Sequence, residues 1–214
     1  MIKACIFDFD GVLADTEALH YQSFQKVLEP LNAEFSWETY HADYIAFDSS
    51  QVFSAALQKA EIVNHPNLQV LITQKIKAFE DALENTDVPP LPGAVKAVEL
   101  AASRGPVALC TGAQRQDVTP LLKGFGLYDL FQAIVTAGDV KISKPDPESY
   151  TLAASILKTD PKNCLAIEDT PGGLISARNA GCQTLGVTTT HRREQLLPFA
   201  DQVTDSLVEF QAFL

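Results

Sequence analysis

Two aspartates one residue apart, Asp8 and Asp10, close a short apolar run, and Gly11 follows them. Side chains at i and i+2 share a face of an extended segment, so both carboxylates can enter the same space. Gly11 lets the backbone turn and approach a ligand closely. Three further pieces carry comparable groups. Cys110-Thr111-Gly112-Ala113 offers a hydroxyl and backbone N–H donors to an anion. Ser143-Lys144-Pro145-Asp146-Pro147 holds a lysine between a loop and a proline-initiated helix, where its ammonium can contact phosphate as a point charge. Ile167-Glu168-Asp169-Thr170-Pro171-Gly172-Gly173 sets two adjacent carboxylates between an apolar run and a helix. Each piece taken alone also fits a plainer role: an acidic turn cap, a simple turn, a surface lysine and, at Asp169, a helix N-cap.

Their combination changes the chemistry. Asp8, Asp10, Glu168 and Asp169 would crowd one crevice, where each like-charge pair about 4 Å apart costs on the order of 4 kcal/mol at an effective dielectric of about 20. Such a group requires a bound cation or raised pKa values. Oxygen-only ligands select a hard ion, and Mg²⁺ also accepts waters and phosphate oxygens in its shell. Lys144 and Thr111 would then balance a phosphoryl group, in whose transfer positioning and charge neutralisation dominate.

Three of the pieces directly follow an expected parallel strand, and in open parallel sheets the ligand crevice lies beyond the carboxyl ends of the strands, so pieces this far apart in the chain can converge there. The apolar runs Ala4–Phe7, Val107–Cys110, Ala133–Thr136, Leu165–Ile167 and Thr184–Val187 are the expected strands. Runs apolar throughout suit strands buried on both faces. Between them lie helical stripes, such as Tyr150, Ala154 and Leu157, then Leu174, Ala177 and Gly181. The alternation implies an α/β protein with a Rossmann-like parallel sheet core. Residues 16–85 break it with three helical stripes: His20, Phe24 and Leu28; Phe53, Ala56, Leu57 and Ala60; Ile72, Ile76, Phe79 and Leu83. The expected division is a catalytic core of residues 1–15 and 86–214 with an inserted α-helical cap domain of 16–85. The proline-rich return, residues 87–93, reads as a stiff linker.

The bulk composition narrows the partners. A net charge of −11 over 214 residues argues against a nucleic-acid surface. No stretch approaches the roughly 20 apolar residues of a membrane span. The first apolar run is too short for a signal peptide, which implies a cytoplasmic protein. Cys5, Cys110, Cys164 and Cys182 form no metal-ligand pattern and read as buried small hydrophobes in a reducing compartment. The expected partner is a small-molecule phosphate ester, with no nucleic acid and no membrane, and the chain is expected to be a monomer or weak homodimer.

Asp8-Phe9-Asp10-Gly11-Val12-Leu13-Ala14-Asp15-Thr16, Thr111, Lys144-Pro145, Glu168-Asp169-Thr170-Pro171-Gly172-Gly173 and the tail Ala180–Val187 together resemble the haloacid dehalogenase-like superfamily. The resembling branch contains β-phosphoglucomutase and related sugar-phosphate phosphatases, and the likeness covers nearly the whole chain. It implies that Asp8 attacks phosphorus and becomes an aspartyl phosphate. Asp10 would protonate the leaving oxygen and then deprotonate water. Thr111 and Lys144, with backbone N–H groups near Gly11 and Gly112, would hold the phosphoryl oxygens. Asp169 and Glu168 would bind Mg²⁺ with Asp8 and the main-chain carbonyl of Asp10, and the Lys144–Pro145 bond would be cis. The dehalogenases that name the superfamily lack the second aspartate, so Asp10 speaks against dehalogenation.

In the cap, His20 either gates closure near Asp10 or packs, and Lys75 stands where a cap lysine is expected. Arg115 either contributes a second phosphate contact or is an exposed helical residue. The mutase pattern of a glycine followed closely by Ser-Arg is replaced by Ala46-Phe47-Asp48-Ser49-Ser50. Without that arginine a second phosphate has no bidentate partner. The implied activity is therefore Mg²⁺-dependent hydrolysis of a small phosphate monoester, a sugar phosphate or similar metabolite. The alternative is a sugar phosphomutase that uses the same phosphoenzyme. A signalling receiver domain shares the acidic residues, threonine and lysine, but has no cap and carries its phosphoacceptor after an inner strand.

Overall fold

The computed structural model describes residues 1–45, 47, 49–86 and 88–214. Ala46, Asp48 and Asp87, read above as part of the cap loop and the linker, lie outside the described residues. Among the described residues, β1 (Ala4–Phe7), β2 (Val107–Cys110) and β4 (Cys164–Glu168) are buried at every position. Strands with no polar face can pair only inside a parallel sheet covered on both sides. With β3 (Ala133–Val135), β5 (Gln183–Val187) and β6 (Gln202–Thr204) they form one parallel sheet in the order β3-β2-β1-β4-β5-β6. The order reverses between β1 and β4, where a doubly wound sheet opens its ligand crevice. β6 was not expected from the sequence: Gln202-Val203-Thr204 offers a single apolar residue, and pairing with β5 supplies what its composition does not.

The contacts divide the chain into Met1–Asp15 with Pro89–Leu214, and Thr16–Val88. In the first unit, alternation along the strands assigns a residue set to each face. Ala4, Ile6, Ala108, Cys110, Ala133, Val135, Cys164 and Ala166 share a core with Tyr150, Ala153 and Leu157 of the segment around α7 (Glu148–Ile156) and Ala177 of α8 (Pro171–Asn179). Most of these strand residues are small, and both helices pack directly on them. The other face is covered by α5 (Ala94–Arg104) and the C-terminal turn Leu207–Phe213, whose Phe210 meets Phe7 with ring centroids 5.5 Å apart. All four cysteines are free and buried.

The second unit is helical, and among its described residues no strand occurs. It contains α1 (Glu17–Leu28), α2 (Trp37–Thr39), α3 (Ser49–Lys59) and α4 (Leu68–Asn85). Phe24, Leu28, Phe53, Ala56, Leu57 and Leu71 form its core. The sequence reading passed over α2 and the helical turn Tyr40–Tyr44, although Trp37, Tyr40 and Tyr44 carry the i, i+3, i+7 spacing of a helix. Among the described residues no helix is long and apolar enough to cross a membrane.

Phe210 is buried against the strand that ends at the first aspartate. Phe210→Ala is expected to destabilise the protein by about 3–5 kcal/mol, seen as a clear fall in melting temperature by circular dichroism. An unchanged melting temperature would exclude the C-terminal turn from the core.

Candidate active site

Register brings the chemistry together. Ala4 pairs with Cys164 and Cys5 with Val107, so one residue past β1 the side chain of Asp8 stands level with Cys110 and Glu168. The Asp8 N–H donates to the Ile167 carbonyl at 3.0 Å and continues the ladder. Lys144 enters from the loop before α7, through a cis Lys144–Pro145 peptide. Its Nζ donates to Asp8 Oδ1 at 2.8 Å, Glu168 Oε1 at 2.6 Å and the Cys110 carbonyl at 2.9 Å. One ammonium thus joins the tips of β2, β1 and β4.

Glu168 and Asp169 are both buried, and Asp8, Glu168 and Asp169 each place a carboxylate oxygen within 4.8 Å of the others'. Burial pushes the Asp8 carboxyl up to about 8; the Glu168 charge adds to the rise and Lys144 opposes it. Burial disfavours the Lys144 ammonium, but Asp8 and Glu168 outweigh it and hold that group well above its ordinary range. One lysine leaves three neighbouring carboxylates short of positive charge. An oxygen-only donor set of this spacing fits a hard divalent cation.

Several neighbours hold the carboxylates in place. Tyr150 Oη donates to Glu168 Oε1 at 2.7 Å. Burial and the Glu168 charge push this phenol well above its ordinary pKa, so it remains a donor. Thr190 Oγ1 donates to Asp169 Oδ2. Gly11 has φ +70°, and a Cβ there would collide with the Asp169 carboxylate and Thr190. The N-cap of α8 is Thr170, whose hydroxyl accepts from the Gly173 N–H at 3.1 Å. Asp169 is therefore not the helix cap that its position suggested.

Thr111 is buried at the end of β2; its hydroxyl lies 3.5 Å from Asp10 Oδ2 and accepts the Ala113 N–H at 3.0 Å. A Cβ at Gly112 would meet nothing among the described residues, so packing does not demand glycine there. Arg115 is placed in a different role: its Nη2 donates to the Ile134 carbonyl at 2.7 Å and to Asp139 at 2.8 Å, tying α6 (Arg115–Gly124) to the end of β3. In the helical unit, Lys75 Nζ lies 2.7 Å from His20 Nδ1, and His20 stacks on Phe79 with centroids 4.3 Å apart. Lys75 also sits over the rings of Phe24 and Phe79, at 5.0 and 4.9 Å.

Tyr150 and Thr190 were missed as site residues in the sequence. Tyr150 stood out only as a core stripe position, yet it lies in the first helical turn after the Lys144 loop, a placement that could have marked it. Thr190 carries no such signal.

A family model described as haloacid dehalogenase-like hydrolase matches residues 5–187. The chain is 31% identical over 221 residues to a Bacillus subtilis protein with a provisional phosphatase name, YhcW, covering 100% of this chain and 96% of the relative. It is 31% identical over 187 residues to fructose-1-phosphate phosphatase YqaB of Escherichia coli, covering 85% of this chain and 94% of that protein. The solved structure of CbbY from Rhodobacter sphaeroides in complex with phosphate superposes with a TM-score of 0.85 at 26% identity, covering 98% of this chain and 96% of that one.

The glycine pair at the start of α8 offers a matched test of the site's packing. A Cβ at Gly173 would collide with the Glu168 carboxylate, whereas one at Gly172 would meet nothing within 4 Å among the described residues. Gly173→Ala is expected to cost about 1–3 kcal/mol as an overpacked position. Gly172→Ala should be neutral or slightly stabilising through helix propensity. Equal melting temperatures for the two variants would refute the close approach of Gly173 to Glu168.

Proposed function

The chain belongs to the haloacid dehalogenase-like hydrolase family, and on that premise we propose that it hydrolyses a small phosphate monoester, a sugar phosphate or similar metabolite, by phosphoryl transfer to Asp8. What carries this is the ammonium of Lys144 held at 2.8 Å from Asp8 within a cluster of three buried carboxylates. Asp8, Asp169 and Glu168, with the main-chain carbonyl of Asp10, would hold Mg²⁺. When bound, that ion supplies the positive charge the carboxylates lack and favours a hard, oxygen-rich phosphoryl ligand.

In the first step a carboxylate oxygen of Asp8 bonds to phosphorus as the bond to the leaving oxygen breaks. Asp10 delivers a proton to that oxygen, and the free alcohol departs. In the second step Asp10 takes a proton from water, whose oxygen bonds to phosphorus. The bond between phosphorus and Asp8 breaks, releasing inorganic phosphate and restoring the carboxylate. Lys144, once one of its donors turns from a carboxylate, joins Thr111 and the N–H groups near Gly11 and Gly112 in orienting the phosphoryl oxygens as charge develops on them. Burial of Asp8 keeps the nucleophile poorly hydrated.

Hydrolysis is favoured over mutase action by the cationic residues available. No arginine stands between Thr16 and Val88 in the sequence; Arg104, Arg115, Arg178, Arg192 and Arg193 all lie outside that stretch. A mutase must grip a second phosphate, for which the planar guanidinium is the preferred partner. The name of the relative YqaB, a fructose-1-phosphate phosphatase, points the same way.

Asp8→Asn is expected to fold and to lose essentially all turnover across a panel of phosphate esters with Mg²⁺; activity within tenfold of wild type would sink the mechanism. Chelation should abolish activity, and Mg²⁺ should restore it better than Ca²⁺, which takes more ligands at longer distances. Equal rates with the two ions would contradict the assigned donor set. Supplied with β-glucose 1-phosphate and a trace of the 1,6-bisphosphate, the enzyme should release free phosphate faster than it forms glucose 6-phosphate. The reverse ordering would make it a mutase.

A further inference from the structure

An ammonium has three N–H donors, and each on Lys144 has an acceptor: Asp8 Oδ1 at 2.8 Å, Glu168 Oε1 at 2.6 Å and the Cys110 carbonyl at 2.9 Å. A lysine that is to hold a phosphoryl oxygen must turn one donor away. A buried acceptor deserted in this way bears its full desolvation penalty unless another donor remains. Glu168 is the acceptor so provided. Its Oε1 also receives the Tyr150 hydroxyl at 2.7 Å, and its Oε2 lies 3.3 Å from both the Asp169 N–H and the Thr170 hydroxyl.

Tyr150 also touches the lysine itself. Its ring centroid is 5.1 Å from Lys144 Nζ, inside the range of about 6 Å at which a ring face attracts a cation. The ring cannot easily move, because it is fully buried in the sheet-side core with Cys110, Ala153 and Ala154. One residue therefore holds the carboxylate by its hydroxyl and the ammonium by its ring face.

We propose that Tyr150 is a positioning residue for phosphoryl transfer: it keeps a donor on Glu168 Oε1, so that Lys144 can redirect one N–H from Glu168 to the phosphoryl group. The role rests on the assignment of Asp8 and Lys144 made above. It differs from packing in what it controls. A packing residue would set stability; Tyr150 sets how readily the ammonium leaves its resting acceptor, and hence how tightly phosphate is held.

Tyr150→Phe keeps the ring and removes only the hydroxyl, which leaves Lys144 as the donor closest to Glu168 Oε1 and binds the ammonium to it more firmly. The dissociation constant of inorganic phosphate, measured by calorimetry in Mg²⁺ buffer, is expected to rise on the order of tenfold. The kcat/KM for a reactive aryl phosphate should fall by a similar factor, while the melting temperature moves by only a few degrees. Tyr150→Leu removes the ring as well and should weaken phosphate further, giving the order wild type, Phe, Leu. If Asp8→Asn abolishes turnover but Tyr150→Phe leaves the phosphate constant within twofold of wild type, the role of Tyr150 is overturned and that of Asp8 stands. Turnover surviving Asp8→Asn would overturn both.

Discussion

Three carboxylates buried within reach of one another repel, and the chain accommodates them by running a single lysine across the tips of three adjacent strands. Lys144 reaches Asp8 after β1, Glu168 at the end of β4 and the Cys110 carbonyl at the end of β2. Removing one partner of a buried charge pair typically costs several kcal/mol, because the charge left behind has lost its water. The strand order, the loop before α7 and the small residues beneath that helix all serve to bring this ammonium to that place. The charge is still not balanced, since Asp8 is held near pKa 8 by burial and by Glu168. An incompletely neutralised buried carboxylate is a poor structural element, and its cluster is suited to a cation.

The polar neighbours of the cluster divide by the carboxylate they hold. Tyr150 and Thr170 address Glu168, Thr190 addresses Asp169, and Thr111 approaches Asp10. They come from a helix, a helix cap, the stretch after β5 and the end of β2, so no single loop movement can disturb all the acids together. Glycine is needed where backbone and carboxylate meet: Gly11 turns through a positive φ against Asp169, and Gly173 passes Glu168 with no room for a methyl group. Low-dielectric surroundings make each hydrogen bond stronger and each missing one costlier.

The helical unit is chemically different. It has no arginine, and its Lys75 is engaged with His20 and with the faces of Phe24 and Phe79. Ring contacts link Tyr21, Phe35, Tyr40 and Tyr44, which join or pack against a core of this unit's own.

By itself the sequence determined the class of fold and the identity of the acids. Four consecutive apolar residues before Asp8 suit an inner strand, and burial of both faces is what the sheet provides. It was equally sufficient for the helical stripes, whose 3.6-residue spacing does not depend on what they pack against. Features made of pairing rather than composition were left to the tertiary structure. β6 exists because β5 offers it an edge. Whether Asp169 or its neighbour caps the following helix was settled only when Thr170 was seen to hold that position. Arg115 was open to an anion contact or to a plain exposed helical place, and the structure shows a half-exposed side chain bonded to the Ile134 carbonyl and Asp139. Tyr150 lies one helical turn from the Lys144 loop, but nothing local says that its hydroxyl and Lys144 meet on one oxygen of Glu168. A motif specifies which groups are present within a few residues. Which acceptor each donor reaches depends on strand register and on helices packed from elsewhere in the chain, and that the fold alone decides.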